Sequence, residues 1–412
     1  MKCTITQQVV LSQPPEGPLA PHIVSFARFM SEQGYRSYSL KRQVRIVAGF
    51  SRWLKQRGIG LRRICADRSV AYLRIHAPNT RVRRGDAATL RYLIDFLHRE
   101  GVTPSENASA HRLTPAEHCV EAYEQYLRET RGLAEATIIN YVPFIQDFLD
   151  HCFGDGALML SRLCSGNVVG FVQRQVPRLH LKRAKLMTTA LRSFLRYVRY
   201  RGDITLDLAA AVPVVANWSM SSIPRAIAAD QVDQLLVSID RGTATGRRDY
   251  AILLLLARLG LRSGEVVSLE LDDIDWNAGQ LRVCGKGGQR NELPLTAELG
   301  EAIAAYLRSG RPCSTSRRVF LRAKAPIRGF QGASGVGSIV RHCLERASIS
   351  APTMGAHQFR HGLATEMLRQ GASLGEIGEL LGHRHPQTTK IYTKVDLKAL
   401  RTLALPWPGG VR

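Results

Sequence analysis

Apolar residues recur at three- and four-residue intervals over long stretches of the chain, as at 40, 44, 47 and 50 and again at 191, 194, 195 and 198. That spacing lines one face of a helix with side chains that leave water. The segments "AADQVDQLLVSI" (228–239) and "RRDYAILLLLARLG" (247–260) predict two further helices, and a third starts at "HQFRHGLAT" (357–365) and continues through Met367. In between, "QLRVCGKGGQRNELPL" (280–295) alternates around a glycine-rich centre, which predicts a hairpin with strands near 281–284 and 291–295.

The helical pattern repeats itself. "GYRSYSLKRQVRIVAGFSRWLKQRGI" (34–59) lies over "GLAEATIINYVPFIQDFLDHCFGD" (132–155), and "LRYLIDFLHREGV" (90–102) over "LRSFLRYVRYRGD" (191–203). Two diverged copies of one helical module are expected. Ser39 and Thr137 precede the apolar runs of the two copies and are candidate N-caps. Stretches rich in small residues and proline, 101–117 and 211–228, read as breaks. The expected organisation is an N-terminal segment (1–20), a helical module (21–110), a second one (111–212), a linker (213–223) and a third domain (224–412).

Composition narrows the function. The chain has 412 residues with 57 Lys and Arg against 34 Asp and Glu, a formal charge of +23. The excess is spread along the chain, with 31 basic and 17 acidic residues in 1–212 and 26 and 17 in 213–412. Such a balance points to a polyanionic partner. The eight cysteines form no C-x-x-C pair and no zinc spacing, so reduced thiols and a cytoplasmic location are expected. The N-terminus lacks the apolar core of a signal peptide, and "AILLLLA" (251–257) is too short to cross a bilayer, so no membrane partner is expected.

Four short motifs follow one another in the third domain. They are "GLRSGE" with Arg262 and Glu265, "GKGGQRNELPL" with Lys286 in the hairpin turn, "HQFRHGLAT" with His357, Arg360 and His361, and "LGHRHPQTTKIY" with His383 and Tyr392. In this order and spacing the set resembles the tyrosine recombinases, the phage integrase family. Their pattern is R-x-x-E after an apolar helix, a hairpin lysine, H-x-x-R, then L-G-H and a tyrosine nine residues on.

The resemblance implies a mostly α fold with a small antiparallel β-sheet in the catalytic domain, preceded by two helical SAM-like modules. It implies a site-specific recombinase that cleaves and rejoins duplex DNA through a 3′-phosphotyrosyl intermediate, for integration, excision or transposition of a mobile element. Breaking a phosphodiester without a metal needs a nucleophile, charge neutralisation and an acid for the leaving oxygen. By resemblance Tyr392 is the nucleophile, Arg262 and Arg360 clamp the phosphate, and Lys286 is the general acid. His357 then moves protons, His383 hydrogen-bonds the phosphate, and Glu265, on the same helical face as Arg262, orients its neighbours. No cofactor and no metal are implied. The implied partners are double-stranded DNA and three further copies in a homotetramer on two DNA sites, with accessory recombinases as further candidates.

Other readings use the same residues. His357 and His361 stand at i and i+4 like zinc ligands, but the position after His357 is Gln358 rather than the Glu of H-E-x-x-H, and Arg360 would set a positive charge beside the metal. On that account His361 and His385 are packing or DNA-proximal residues. A binding protein that has lost the chemistry would keep this fold, and a type IB topoisomerase would share the tyrosine and arginine chemistry. The filled set of site positions opposes the first, and the "LGH" spacing with a preceding helical domain opposes the second.

The second module, most clearly "VEAYEQYLRETRGLAEATIINYVPFIQDFLDHC" (120–152), is similar to the family's core-binding domain. The first module is either an oligomer contact or an added DNA-binding arm, the latter favoured by "RVRRGD" (81–86) with Arg62 and Arg63. The amphipathic tail after Tyr392 packs either on its own chain or on a neighbouring protomer.

Overall fold

In the computed structural model the described residues are 3–6, 9–11, 13–76, 84–103, 114–154, 156–215, 225–285, 288, 290–383 and 385–395. Lys286, residues 81–83 of the basic cluster, 216–223 of the linker and the tail 396–412 therefore lie outside the described residues. The chain divides into two compact units, one of residues 1–104 with 220–412 and the other of residues 105–219.

The first unit begins with an antiparallel hairpin, β1 (Cys3–Thr6) and β2 (Val9–Leu11). Four helices follow, α1 (Ile23–Glu32), α2 (Ser37–Gln56), α3 (Ala66–His76) and α4 (Arg84–Arg99). Their apolar faces enclose Phe26, Leu40, Val44, Val47, Phe50 and Leu93, all withdrawn from water. The backbone N–H of Ile327 in the C-terminal part of the unit donates to Gln33 O at 2.9 Å, so this bundle is joined to the part that carries the motifs.

The second unit is a bundle of α5 (Pro115–Gln125), α6 (Glu135–Phe153), α7 (Ser165–Gln175) and α8 (Leu181–Tyr200). Thr114 caps α5 reciprocally with Glu117. Aromatic rings fill the centre, with Phe148 edge-on to Phe171 at 5.2 Å and Tyr123 edge-on to Phe194 at 5.3 Å.

The two expected N-caps are corrected. The cap of α2 is Arg36 and that of α6 is Ala134, so Ser39 and Thr137 already lie inside the first turn. The apolar period marks where a helix meets its core, and a first turn that projects from the core leaves no mark on it.

The rest of the first unit is mostly α with one small sheet. Helices α9 (Ala229–Val237) and α10 (Ala244–Arg258) lead to the short α11 (Ser263–Ser268). Strands β3 (Ile274–Asp275), β4 (Gln280–Cys284) and β5 (Arg290–Pro294) form an antiparallel sheet in that order, with Leu281 opposite Leu293. Then come α12 (Ala297–Ser309), α13 (Ser334–Arg346), α14 (His357–Arg369), α15 (Leu374–Leu380) and the single turn α16 (Pro386–Thr389).

Helix α10 is the hub. Residues 251–256 are completely buried among α9, α12, α13 and α14, which explains a run with no polar stripe. Among the described residues no helix is long and apolar enough to cross a membrane.

Candidate active site

The site is built where α10 ends, where α14 begins, and where the chain leaves α15. Gly260 closes α10 at φ +60°, and a Cβ there would stand 2.8 Å from Leu381 Cδ2 and 3.1 Å from Leu363 Cδ2. Glycine therefore lets the chain turn tightly against α14 and α15. Two residues later Arg262 occupies the position before α11.

The Glu265 carboxylate accepts the Arg262 backbone N–H at 2.7 Å and Arg262 Nη1 at 2.7 Å. The shared helical face inferred from spacing is thus corrected. Arg262 lies outside the helix, and Glu265 reaches back from the third helical position to hold both ends of it.

Helix α14 carries His357, Arg360 and His361, which the helical period sets on one side. Arg360 is 4% exposed and bridges two carbonyls, donating through Nη1 to Gly260 O at 2.8 Å and through Nη2 to Leu381 O. Its fork therefore ties the first motif to the fourth. Burial and, after it, the Arg262 charge bring its pKa down to about 10, which leaves it cationic at neutral pH.

Past α15, Gly382 at φ +58° turns the chain so that His383 faces inward, and Arg262 Nη2 donates to Gly382 O at 3.5 Å. The His383 N–H donates to Gly378 O at 2.9 Å, and its Nδ1 is hydrogen-bonded to Thr389 Oγ1 at 2.8 Å. Burial, then the charges of Arg360 and Arg262, push its pKa down to about 4. His383 is a neutral imidazole at pH 7.

Tyr392 sits in a 3-10 turn, Lys390–Val395, packed with Ala364, Ile377 and Leu381 and only 1% exposed. Its hydroxyl is hydrogen-bonded to His361 Nδ1 at 3.0 Å, and the two rings meet edge to face at 5.7 Å. Burial raises the phenol pKa while Arg360 and Arg262 pull it down. His357, at the exposed start of α14, stacks its ring on His361 at 6.0 Å.

Arg262, Glu265, Arg360, His383 and Tyr392 are therefore brought to one place, and His357 joins them through His361. Lys286 lies outside the described residues, although the strands on either side of its turn are present. Two partners escaped sequence reasoning. His361 drew notice as a metal ligand or as a packing or DNA-proximal residue, and not as a partner of Tyr392, though its spacing from His357 put it on the same face. Thr389, the partner of His383, gave no signal at all.

Two guanidinium groups, two neutral imidazoles and a buried phenol lie close together, a set of groups suited to an anion and a nucleophilic oxygen. Among the described residues no group of three or more His, Cys, Asp or Glu is arranged to hold a metal ion.

Known proteins share this arrangement of chain. The model of the phage integrase family matches residues 225–398. A Sinorhizobium fredii (strain NBRC 101917 / NGR234) protein provisionally named integrase/recombinase y4rA is 59% identical over 411 residues, covering 99% of each chain. Tyrosine recombinase XerC of Azotobacter vinelandii (strain DJ / ATCC BAA-1303) is 32% identical over 68% of this chain and 92% of its own. Among solved structures, XerH recombinase in a post-cleavage complex with its difH substrate aligns with a TM-score of 0.55 at 19% identity, over 70% of this chain and 84% of that one. That likeness concerns the fold. The four motifs, the fold around them and these relatives together establish that the chain belongs to the phage integrase family of tyrosine recombinases and is a site-specific DNA recombinase that cleaves and rejoins DNA.

Proposed function

We propose that this chain breaks duplex DNA by attack of Tyr392 on the scissile phosphate, forming a 3′-phosphotyrosyl link that conserves the bond for rejoining. Arg262 and Arg360 neutralise the phosphate oxygens, and His383 hydrogen-bonds one of them. Lys286 protonates the departing 5′ oxygen, and His357 moves protons at the phosphate. Glu265 keeps Arg262 aimed. The observation that carries this reading is the Arg360 fork, which joins the carbonyls of Gly260 and Leu381 and so links the Arg262 and His383 turns beside Tyr392.

The unit of residues 105–219 serves as the core-binding domain, and the preceding helical module as an added DNA-binding arm. Four copies act on two DNA sites in the cytoplasm, in the movement of a mobile element. The +23 charge supports the nucleic-acid partner.

The test uses nicked suicide duplexes tiled from the DNA that flanks the gene, mixed with the protein without divalent metal and run on a denaturing gel. A covalent protein–DNA band that vanishes in Tyr392→Phe is expected. A band that survives that change, or one that requires zinc, overturns the proposal.

A further inference from the structure

We propose that His361 is a catalytic residue, holding the Tyr392 hydroxyl through Nδ1 and taking its proton as the phosphotyrosyl bond forms. The inference deepens the reading of Tyr392 as nucleophile and rests on it. It gives a chemical role to a side chain outside the arginine, lysine, histidine and tyrosine positions already assigned.

Tyr392 is sealed from solvent, so its hydroxyl has no water shell to receive a proton when it attacks. Among the described residues, the polar group hydrogen-bonded to that hydroxyl is His361 Nδ1, at 3.0 Å. A general base has to lie within hydrogen-bond reach of the proton it removes, and this geometry meets that requirement before DNA arrives.

His357 lies one turn back on α14 with its ring 6.0 Å from that of His361. His383 has its Nδ1 engaged by Thr389. Arg360 and Arg262 are guanidinium groups with no lone pair to offer. Among the described residues, the charged or titratable groups whose fields reach His361 are His357 and Arg360 on α14 and His383 in the turn after α15. Burial, then His357 and Arg360, lower the His361 pKa, so the free base is the form present at neutral pH.

The step balances. The Tyr392 Oη–H bond breaks and its proton passes to His361 Nδ1, while Oη bonds to phosphorus. The bond from phosphorus to the 5′ oxygen breaks, its electron pair leaves with that oxygen, and the oxygen takes a proton from the general acid assigned above to Lys286. On rejoining, the 5′ hydroxyl attacks phosphorus and the Oη–P bond breaks. Its electron pair returns to Oη, which recovers the proton from the His361 imidazolium, and the general acid is reprotonated.

Two measurements on the full-length protein test this. Nitrogen NMR of the histidine-labelled chain is expected to show His361 with an unprotonated Nδ1 and a proton on Nε2, a pattern that Tyr392→Phe perturbs. A proton on Nδ1 overturns the proposal whether or not any DNA is cleaved.

Single-turnover adduct formation on the suicide duplex is expected to slow by about 10²-fold or more in His361→Ala. Duplex affinity and melting temperature should stay near the parent's, and 4-methylimidazole should restore part of the rate. A structural role would instead lower affinity or melting together with rate and ignore the added imidazole. A parental rate in His361→Ala refutes the inference. A failure of the parent chain to form any adduct refutes the nucleophile role of Tyr392, and the NMR arm still decides the contact.

Discussion

Replacing Glu265 by Gln changes one oxygen for an amide nitrogen and leaves the shape of the side chain intact. In the parent chain the two carboxylate oxygens accept from two donors of Arg262, its backbone N–H and Nη1, each at 2.7 Å. A glutamine can satisfy one of them and must turn its NH2 toward the other, setting donor against donor. One charge-assisted hydrogen bond is worth about 1.5–3 kcal/mol. Glu265 is 7% exposed, so water cannot readily replace what is lost.

The expected cost of Glu265→Gln is therefore about 2–4 kcal/mol of stability. At roughly 2–4 °C for each kcal/mol in a domain of this size, melting should fall by about 4–16 °C. Arg262 also loses the hold on its guanidinium, and a misplaced clamp slows chemistry more than binding. Adduct formation on the suicide duplex should drop by about tenfold or more while duplex affinity is kept. Thermal melting, a duplex-binding titration and a single-turnover cleavage series read all three quantities. A variant that melts within about 1 °C of the parent and cleaves at the parental rate would refute the claim that Glu265 positions Arg262.

Three further outcomes are expected. Arg360→Lys keeps the charge but leaves one ammonium to serve the Gly260 and Leu381 carbonyls, so stability should fall by about 1–3 kcal/mol and adduct formation should be largely lost; unchanged chemical denaturation would contradict the bridging role. Gly382→Ala places a Cβ at φ +58°, costing about 1–2 kcal/mol, and 2.4 Å from the Asn291 amide nitrogen, so His383 should shift and cleavage slow, whereas a parental melt and rate would contradict it. His383 resists protonation in the folded chain down to about pH 4, while an unfolded histidine accepts a proton near pH 6.5. Its contribution to stability is therefore complete above that unfolded value and is lost as pH falls through the interval below it. Denaturant midpoints for His383→Asn should decline less steeply between about pH 6.5 and 4 than the parent's, and identical slopes would refute the assignment.

The sequence by itself determined the helical class, the hairpin and most of the residues that the fold brings to one place. Periodicity exposes any helix with one wet face, and the glycine-rich interruption between alternating runs marks a hairpin turn whatever surrounds it. Family spacing did the rest, since Arg262, His357, Arg360, His383 and Tyr392 are legible as a set although each alone is an ordinary residue.

What only the tertiary structure decided is how those residues hold one another. The apolar run of α10 carries no polar stripe and so suits a buried helix, but which helices enclose it was decided by the fold. Position 262 falls outside its helix because Gly260 has to pass close to Leu381 and Leu363, a contact between segments more than a hundred residues apart. The His361–Tyr392 and His383–Thr389 hydrogen bonds depend on where α14, α15 and the final turns come to rest. A local pattern records which face of an element meets the core, and it carries no record of which distant side chain will be waiting there.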